Sequence, residues 1–133
     1  MSTIQAHLVP EQQRLQILPR HFGRHAVLVE SVIYHLLLDF SSEYRGGRWH
    51  VYELSNQGLY MAPDMRPLTL QVESNGFEDQ LSADAAGIAV CLHAFSYLSF
   101  RFQGDERFSQ HFYRLRDYAL SHSEIRKIFA AID

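Results

Sequence analysis

Arg48-Trp-His-Val-Tyr-Glu-Leu-Ser55, Leu59-Tyr-Met-Ala62, Leu68-Thr-Leu-Gln-Val-Glu73 and Phe77-Glu-Asp-Gln-Leu81 are the runs that decide the fold class. Each is short, rich in aromatic or aliphatic residues and bounded by turn formers, which is how a strand reads in sequence. In the third run strict alternation sets Leu68, Leu70 and Val72 on one face. Asn56-Gln57-Gly58 supplies a turn after the first run, a Pro63-to-Pro67 loop follows the second, and Asn75-Gly76 joins the last two. Asn-Gly between such runs is the strongest short hairpin signal, because both residues tolerate positive φ. The stretch reads as one antiparallel meander of about four strands.

Helices are expected on both sides of it. The first nine residues read as extended or loose. Pro10-Glu11 opens a short helical segment, with proline in the first position and an acid at the positive end of the dipole. Pro19 is expected to end that segment and Gly23 to separate it from the next. From Arg24 to Phe40, Val29, Ile33, Leu36, Leu37 and Phe40 recur at helical period, and Val27, Leu28, Val32 and Leu38 widen the stripe. That pattern marks a central core helix covered on most sides. After the strands, Ser82 caps a helix with Asp84 in its first turn, and Gly87 in its alanine-rich start permits close packing on the sheet. Two more apolar stripes follow, Phe108 to Tyr118 and Ile125 to Ile132. Helices, then strands, then helices give an α+β fold, as a single domain over residues 1–133.

Composition narrows the function classes. With 47% hydrophobic and 20% charged residues, the chain is an ordinary globular domain and not a disordered one. Twelve basic and fifteen acidic residues give a net charge of −3, and the two signs alternate along the chain. Strong DNA binding draws on clustered Lys and Arg, and DNA mimicry needs a long acidic face, so neither is expected. Cys91 is the sole cysteine, which excludes an internal disulfide and a Cys-based zinc site; within an apolar helix it reads as a buried, inert thiol. No basic-then-apolar leader opens the sequence, and the apolar stretch Ala26 to Phe40 is broken by Glu30, His35 and Asp39. A cytoplasmic protein without a membrane span is expected.

Motifs for chemistry are sparse. His21 and His25 stand four apart, but Gly23 lies between them and no Glu completes a His-Glu-x-x-His arrangement. Neither a Gly-x-Ser-x-Gly elbow nor a phosphate-binding glycine loop occurs, so no cofactor or metal is expected. The unusual residues lie in the meander. Period-two geometry puts Glu53 on the face of Trp49 and Val51, and Asp79 on the face of Phe77 and Leu81, where a carboxylate needs a partner, a bulge or solvent. A salt bridge to an arginine is the plain reading. A polar patch for protein contact among Trp49, Tyr52 and Tyr60 is the functional one.

Glu53-Leu-Ser-Asn56, Gly58-Leu-Tyr-Met-Ala-Pro63, Gln71-Val-Glu-Ser-Asn-Gly-Phe77 and Leu81-Ser-Ala-Asp-Ala-Ala-Gly-Ile88 together resemble the ArdB/KlcA antirestriction proteins. Pro10-Glu11, Leu18-Pro-Arg20, Phe22-Gly23 and Ala131-Ile-Asp133 fit the same pattern, so the resemblance spans nearly the whole chain. It implies a plasmid- or mobile-element-encoded protein that relieves type I restriction of incoming DNA without being a DNA mimic. The motif positions carried over are Glu53, Ser55, Asn56, Gly58, Tyr60, Pro63, Glu73, Asn75, Gly76, Ser82, Asp84 and Gly87. Turn-making, capping and close packing account for Asn75, Gly76, Ser82 and Gly87. Trp49, Tyr52, Glu53, Asn56, Tyr60, Glu73, Asp79 and Asp84 are the candidates for partner contact.

The favoured reading is a non-enzymatic inhibitor, monomeric or weakly dimeric, that touches the type I restriction-modification enzyme or an associated host protein. The alternatives are a small hydrolase or metal-dependent enzyme using Glu53, Glu73 or Asp84 with His50, and weak DNA binding through arginines on one face.

Overall fold

The computed structural model describes residues 3–133. The α+β class holds, and β2 (Trp49–Leu54), β3 (Leu59–Pro63), β4 (Leu68–Val72) and β5 (Phe77–Leu81) occupy the four expected runs. They pair as two antiparallel hairpins, β2 with β3 and β4 with β5, rather than as one continuous meander. Proline explains the break: it has no N–H to give a ladder, and Pro63 closes β3 while Pro67 precedes β4. The Thr69 amide of β4 donates to Glu43 Oε1 at 3.0 Å.

Another strand, β1 (Ala6–Leu8), forms within the first nine residues, whose sequence reads as extended or loose. It runs antiparallel to β2, with Ala6 opposite Leu54 and Leu8 opposite Tyr52. The ladder continues as the Val9 amide donates to the Val51 carbonyl at 2.8 Å. Three residues carry too little pattern to announce a strand; the free edge of β2 recruits them.

The turns also differ in detail. Of the Asn-Gly pair only Gly76 takes a positive φ, 76°, while the Asn75 side chain accepts from the Phe77 amide at 2.9 Å. Between β2 and β3 the left-handed residue is Gln57, with φ 72°, and Asn56 Oδ1 closes the turn on the Gly58 amide at 3.0 Å.

One turn of 3-10 helix leads into α1 (Arg14–Phe22), which passes through Pro19 and stops at Gly23, φ 57°. Pro19 therefore does not end the helix. Its missing N–H frees only the Leu15 carbonyl, on a side where Leu15 is 91% exposed and water is at hand.

The core forms around α3 (Ala83–Arg101), in which every residue from Ala85 to Leu92 is buried. This is the central helix, not α2 (Ala26–Phe40), whose Val27 is 83% exposed. Small side chains decide the matter. Alanines and Gly87 let β3, α2 and two further helices, α4 (Arg107–Ala119) and α5 (Ile125–Ile132), approach α3 from several sides. A Cβ on Gly87 would stand 2.4 Å from the Met61 carbonyl oxygen. That contact covers the outer edge of β3, where buried backbone groups would otherwise go unpaired at about 1–3 kcal/mol each. Cys91 serves the same edge: its Sγ lies 3.4 Å from the Met61 amide and 3.6 Å from the Met61 carbonyl. Burial pushes the thiol up to about 12.

Candidate functional site

Two polar assemblies are built on β2 and β3. The first begins with cross-strand partners Tyr52 and Tyr60, whose rings stack at 4.9 Å, with Tyr118 of α4 stacked on Tyr60 at 5.7 Å. The Tyr60 hydroxyl donates to Asp84 Oδ1 at 2.7 Å, and His122 Nε2 meets Asp84 Oδ2 at 2.9 Å. His122 Nδ1 accepts the Glu124 amide at 3.0 Å, so Nε2 carries the proton given to Asp84. Glu124 in turn accepts from the Ser82 amide at 2.9 Å and from the Ser82 hydroxyl, and Ser82 Oγ caps α3 at the Ala85 amide.

Charge follows this geometry. Partial burial pushes the Asp84 carboxyl up, but hydrogen bonds from His122 and Tyr60 outweigh it and hold it below its ordinary range. The hydrogen bond to Asp84 raises His122, and burial followed by that same bond raises the Tyr60 phenol. Burial, then the nearby Asp84 charge, raises Tyr52.

The second assembly surrounds an open hollow of about 660 Å³ between α1, α4 and the β2–β3 turn. Along α4, Arg107, Gln110, His111 and Arg114 fall three, four and seven residues from the first, on one helical face. Arg20 and His21 come from the last turn of α1, and Glu53 from β2. Glu53 Oε2 accepts from His21 Nε2 at 2.7 Å, and His21 Nδ1 lies 3.4 Å from His111 Nε2. The three side chains thus form one hydrogen-bonded run from His111 through His21 to Glu53. His111 is 3% exposed between Phe22 and Phe95, and its Nδ1 has no hydrogen-bond partner. Burial, then the positive field of His21, Arg114 and Arg107, pushes its imidazole down to about 3.

The structure thus sorts the residues singled out in sequence. Tyr52, Tyr60 and Asp84 come together in the first assembly. Glu53 belongs to the second, and Asn56 borders it, giving its Nδ2–H to the Arg114 carbonyl at 2.9 Å. Two residues are not surface groups. Trp49 is buried against Tyr34 and donates from Nε1 to the Tyr44 hydroxyl at 2.7 Å, and Tyr60 lies beneath its stacked neighbours. Strand alternation placed them on faces that other layers cover. Glu73 is exposed in the β4–β5 turn, and Asp79 stands 3.7 Å from Lys127 of α5.

The carboxylate–His50 set is not assembled: His50 faces Asp64 at 3.6 Å, Glu53 takes His21, and Asp84 takes His122. Sequence reading missed Arg20, His21, Arg107, His111 and Arg114 as a group. The spacing along α4 was a usable signal; the meeting with α1 and β2 was not local to any stretch.

Comparison with known proteins brings in a family. The model of the antirestriction protein family matches residues 42–133. Antirestriction protein KlcA of Escherichia coli is 38% identical over 135 residues, covering 98% of this chain and 95% of that protein. Protein YfjX of Escherichia coli K12 is 41% identical over 130 residues, covering 94% and 85%. A solved structure superposes with a TM-score of 0.90 and 38% identity over the whole of both chains. It belongs to work on KlcA and ArdB, described as a novel fold with antirestriction activity against type I DNA restriction systems in vivo but not in vitro. With a shared sequence, a shared fold and shared length, this chain belongs to the antirestriction protein family.

Proposed function

We propose that this protein relieves type I restriction of incoming DNA in the bacterial cytoplasm by binding a protein, without catalysis and without imitating DNA. One observation carries the reading. Six of the fifteen carboxylates that a DNA mimic would array face basic side chains instead: Glu11, Asp79 and Asp105 form ion pairs with Arg48, Lys127 and Arg107, and Glu53, Asp64 and Asp84 each face a histidine, His21, His50 and His122, that adds positive charge only when protonated. The three ion pairs with Arg or Lys cancel beyond a Debye length of about 10 Å and so break up an anionic face, which leaves surface shape and local contacts to recognise a partner.

The in-vivo-only activity described for KlcA and ArdB supports a contact made inside the cell, with the restriction enzyme in its working assembly or with an associated host protein. A monomer, or at most a weak homodimer, fits the sheet edges. The outer edge of β3 is covered by α3, and β1 offers only three residues for pairing.

The test is transformation of restricting and non-restricting cells with unmodified DNA, with and without this protein. Recovery should rise only in the restricting cells that make it. Equal recovery in both overturns the proposal. Inhibition by the protein of a purified type I enzyme acting alone would remove the need for a cellular intermediary.

A further inference from the structure

The hollow beside α4 concentrates basic side chains, not all of which are matched among the described residues. Arg107 turns Nε and Nη2 onto Asp105, but among the described residues Arg20 and Arg114 make no ion pair. Glu53 is the one carboxylate lining the hollow, and it is already engaged by His21. His111 also lines the hollow, almost fully buried and with no hydrogen-bond partner for Nδ1 among the described residues. Three arginines and three histidines thus line the hollow against a single carboxylate.

The surroundings are also held in place. Asn56 ties the β2–β3 turn to the Arg114 carbonyl, and a Cβ on Gly58 would lie 3.0 Å from Arg114 Cβ. Beyond closing their own turn, those two residues set where the Arg114 side chain begins. Glu53 likewise orients His21.

We propose that this hollow is a socket for a carboxylate side chain presented by the protein partner, with Arg20 and Arg114 as the gripping groups. The inference rests on the protein-contact reading above and names its chemistry. A guanidinium fork matches a carboxylate with two parallel hydrogen bonds, and the hollow has room for the loop that carries it. A protein fits better than a nucleic acid. Duplex binding needs cations spread along a track, whereas here they line one hollow in a chain of net charge −3. Glu53 and Asn56 then serve as positioning residues and the arginines make the contact.

The experiment uses the full chain, isotopically labelled, and two probes: a capped peptide rich in Asp and Glu, and a short DNA duplex. The peptide should shift the Nε–Hε signals of Arg20 and Arg114 and raise the titration midpoint of His111, because an anion offsets the positive field around that ring. Arg20→Gln and Arg114→Gln should each weaken the peptide about tenfold, the size expected for one charge-assisted hydrogen-bonding group, while Arg66→Gln on the β3–β4 loop changes nothing. Arg20 is exposed, so its loss leaves the fold intact even if Arg114→Gln disturbs it. Unchanged peptide affinity in both arginine variants, no peptide binding, or tighter binding of the duplex at the same signals overturns the socket. The same variants in the transformation assay should lose restriction relief, and full relief by Arg20→Gln counts against the proposal. Failure of the unaltered protein in that assay would strike the protein-contact reading, while the peptide measurements still decide whether the hollow takes carboxylates.

Discussion

Acidification should destabilise this protein through His111, and the amount follows from its surroundings. In the unfolded chain an imidazole takes a proton near pH 6.5; in the fold His111 is held neutral down to about 3. Between those values the unfolded state binds the extra proton, so stability is intact above the ordinary value and falls as the pH drops. At about pH 5, one and a half units below, the loss is about 2 kcal/mol, and it approaches about 5 kcal/mol near pH 3. Other groups titrate as well: burial lowers His93, acting in the same sense, and the Asp84 bond raises His122, acting in the opposite one. His111→Phe removes the one contribution and keeps the rest, and its ring suits a site between Phe22 and Phe95. Urea unfolding of both proteins, followed through the single buried Trp49, supplies the comparison. The gap in stability should shift by about 2 kcal/mol in favour of the variant between about pH 7.5 and about pH 5. A gap that stays constant across that range would falsify the assignment of a buried, neutral His111.

Other substitutions probe the packing and the first assembly. Gly87→Ala drives a methyl into the Met61 carbonyl, where backbone must move, and should cost about 3 kcal/mol by calorimetry; a loss under about 1 kcal/mol contradicts the close approach of α3 to β3. Cys91, buried and pushed up to about 12, should react with a disulfide reagent near neutral pH only as fast as the chain unfolds, and prompt stoichiometric modification refutes that. Asp84→Asn should return His122 toward its ordinary midpoint in an NMR titration. The stability linked to that histidine, present below its unfolded value and lost as pH rises through the folded one, should shrink with it.

Much of the fold was legible because its signals are local. Alternation in Leu68, Leu70 and Val72 announces β4 whatever surrounds it, and Ser82 caps α3 with its own side chain. What escaped depends on distant partners. β1 exists because β2 offers an edge, and no property of Ala6 to Leu8 says so. The importance of α2 was overrated because large aliphatic residues dominate a sequence pattern, whereas α3 became central through residues small enough to be approached from every side. The same rule governs the sites. Glu53 looked anomalous on an apolar face, and the partner it needs, His21, lies 32 residues away on a helix. Trp49 and Tyr60 looked like contact residues because aromatic side chains favour protein contacts, and their residue type cannot tell whether a second layer covers them.

A net charge of −3 describes this surface poorly, and the reason bears on how it recognises anything. Exposed ion pairs contribute at most about 1 kcal/mol each to stability, so the three carboxylates paired with Arg or Lys are better understood by what they do to the field. Each pair is a small dipole whose potential fades within a Debye length, which gives a polyphosphate no track to follow. At contact distance the balance changes, because Arg20 and Arg114 face a hollow whose lone carboxylate is already taken. A partner would then be drawn in weakly from afar and held firmly once seated. Added salt should therefore slow its arrival little and weaken the complex modestly, through the few charges actually joined. A steep fall of affinity with salt, of the kind that follows release of many counterions, would mean that an extended anion is the true occupant.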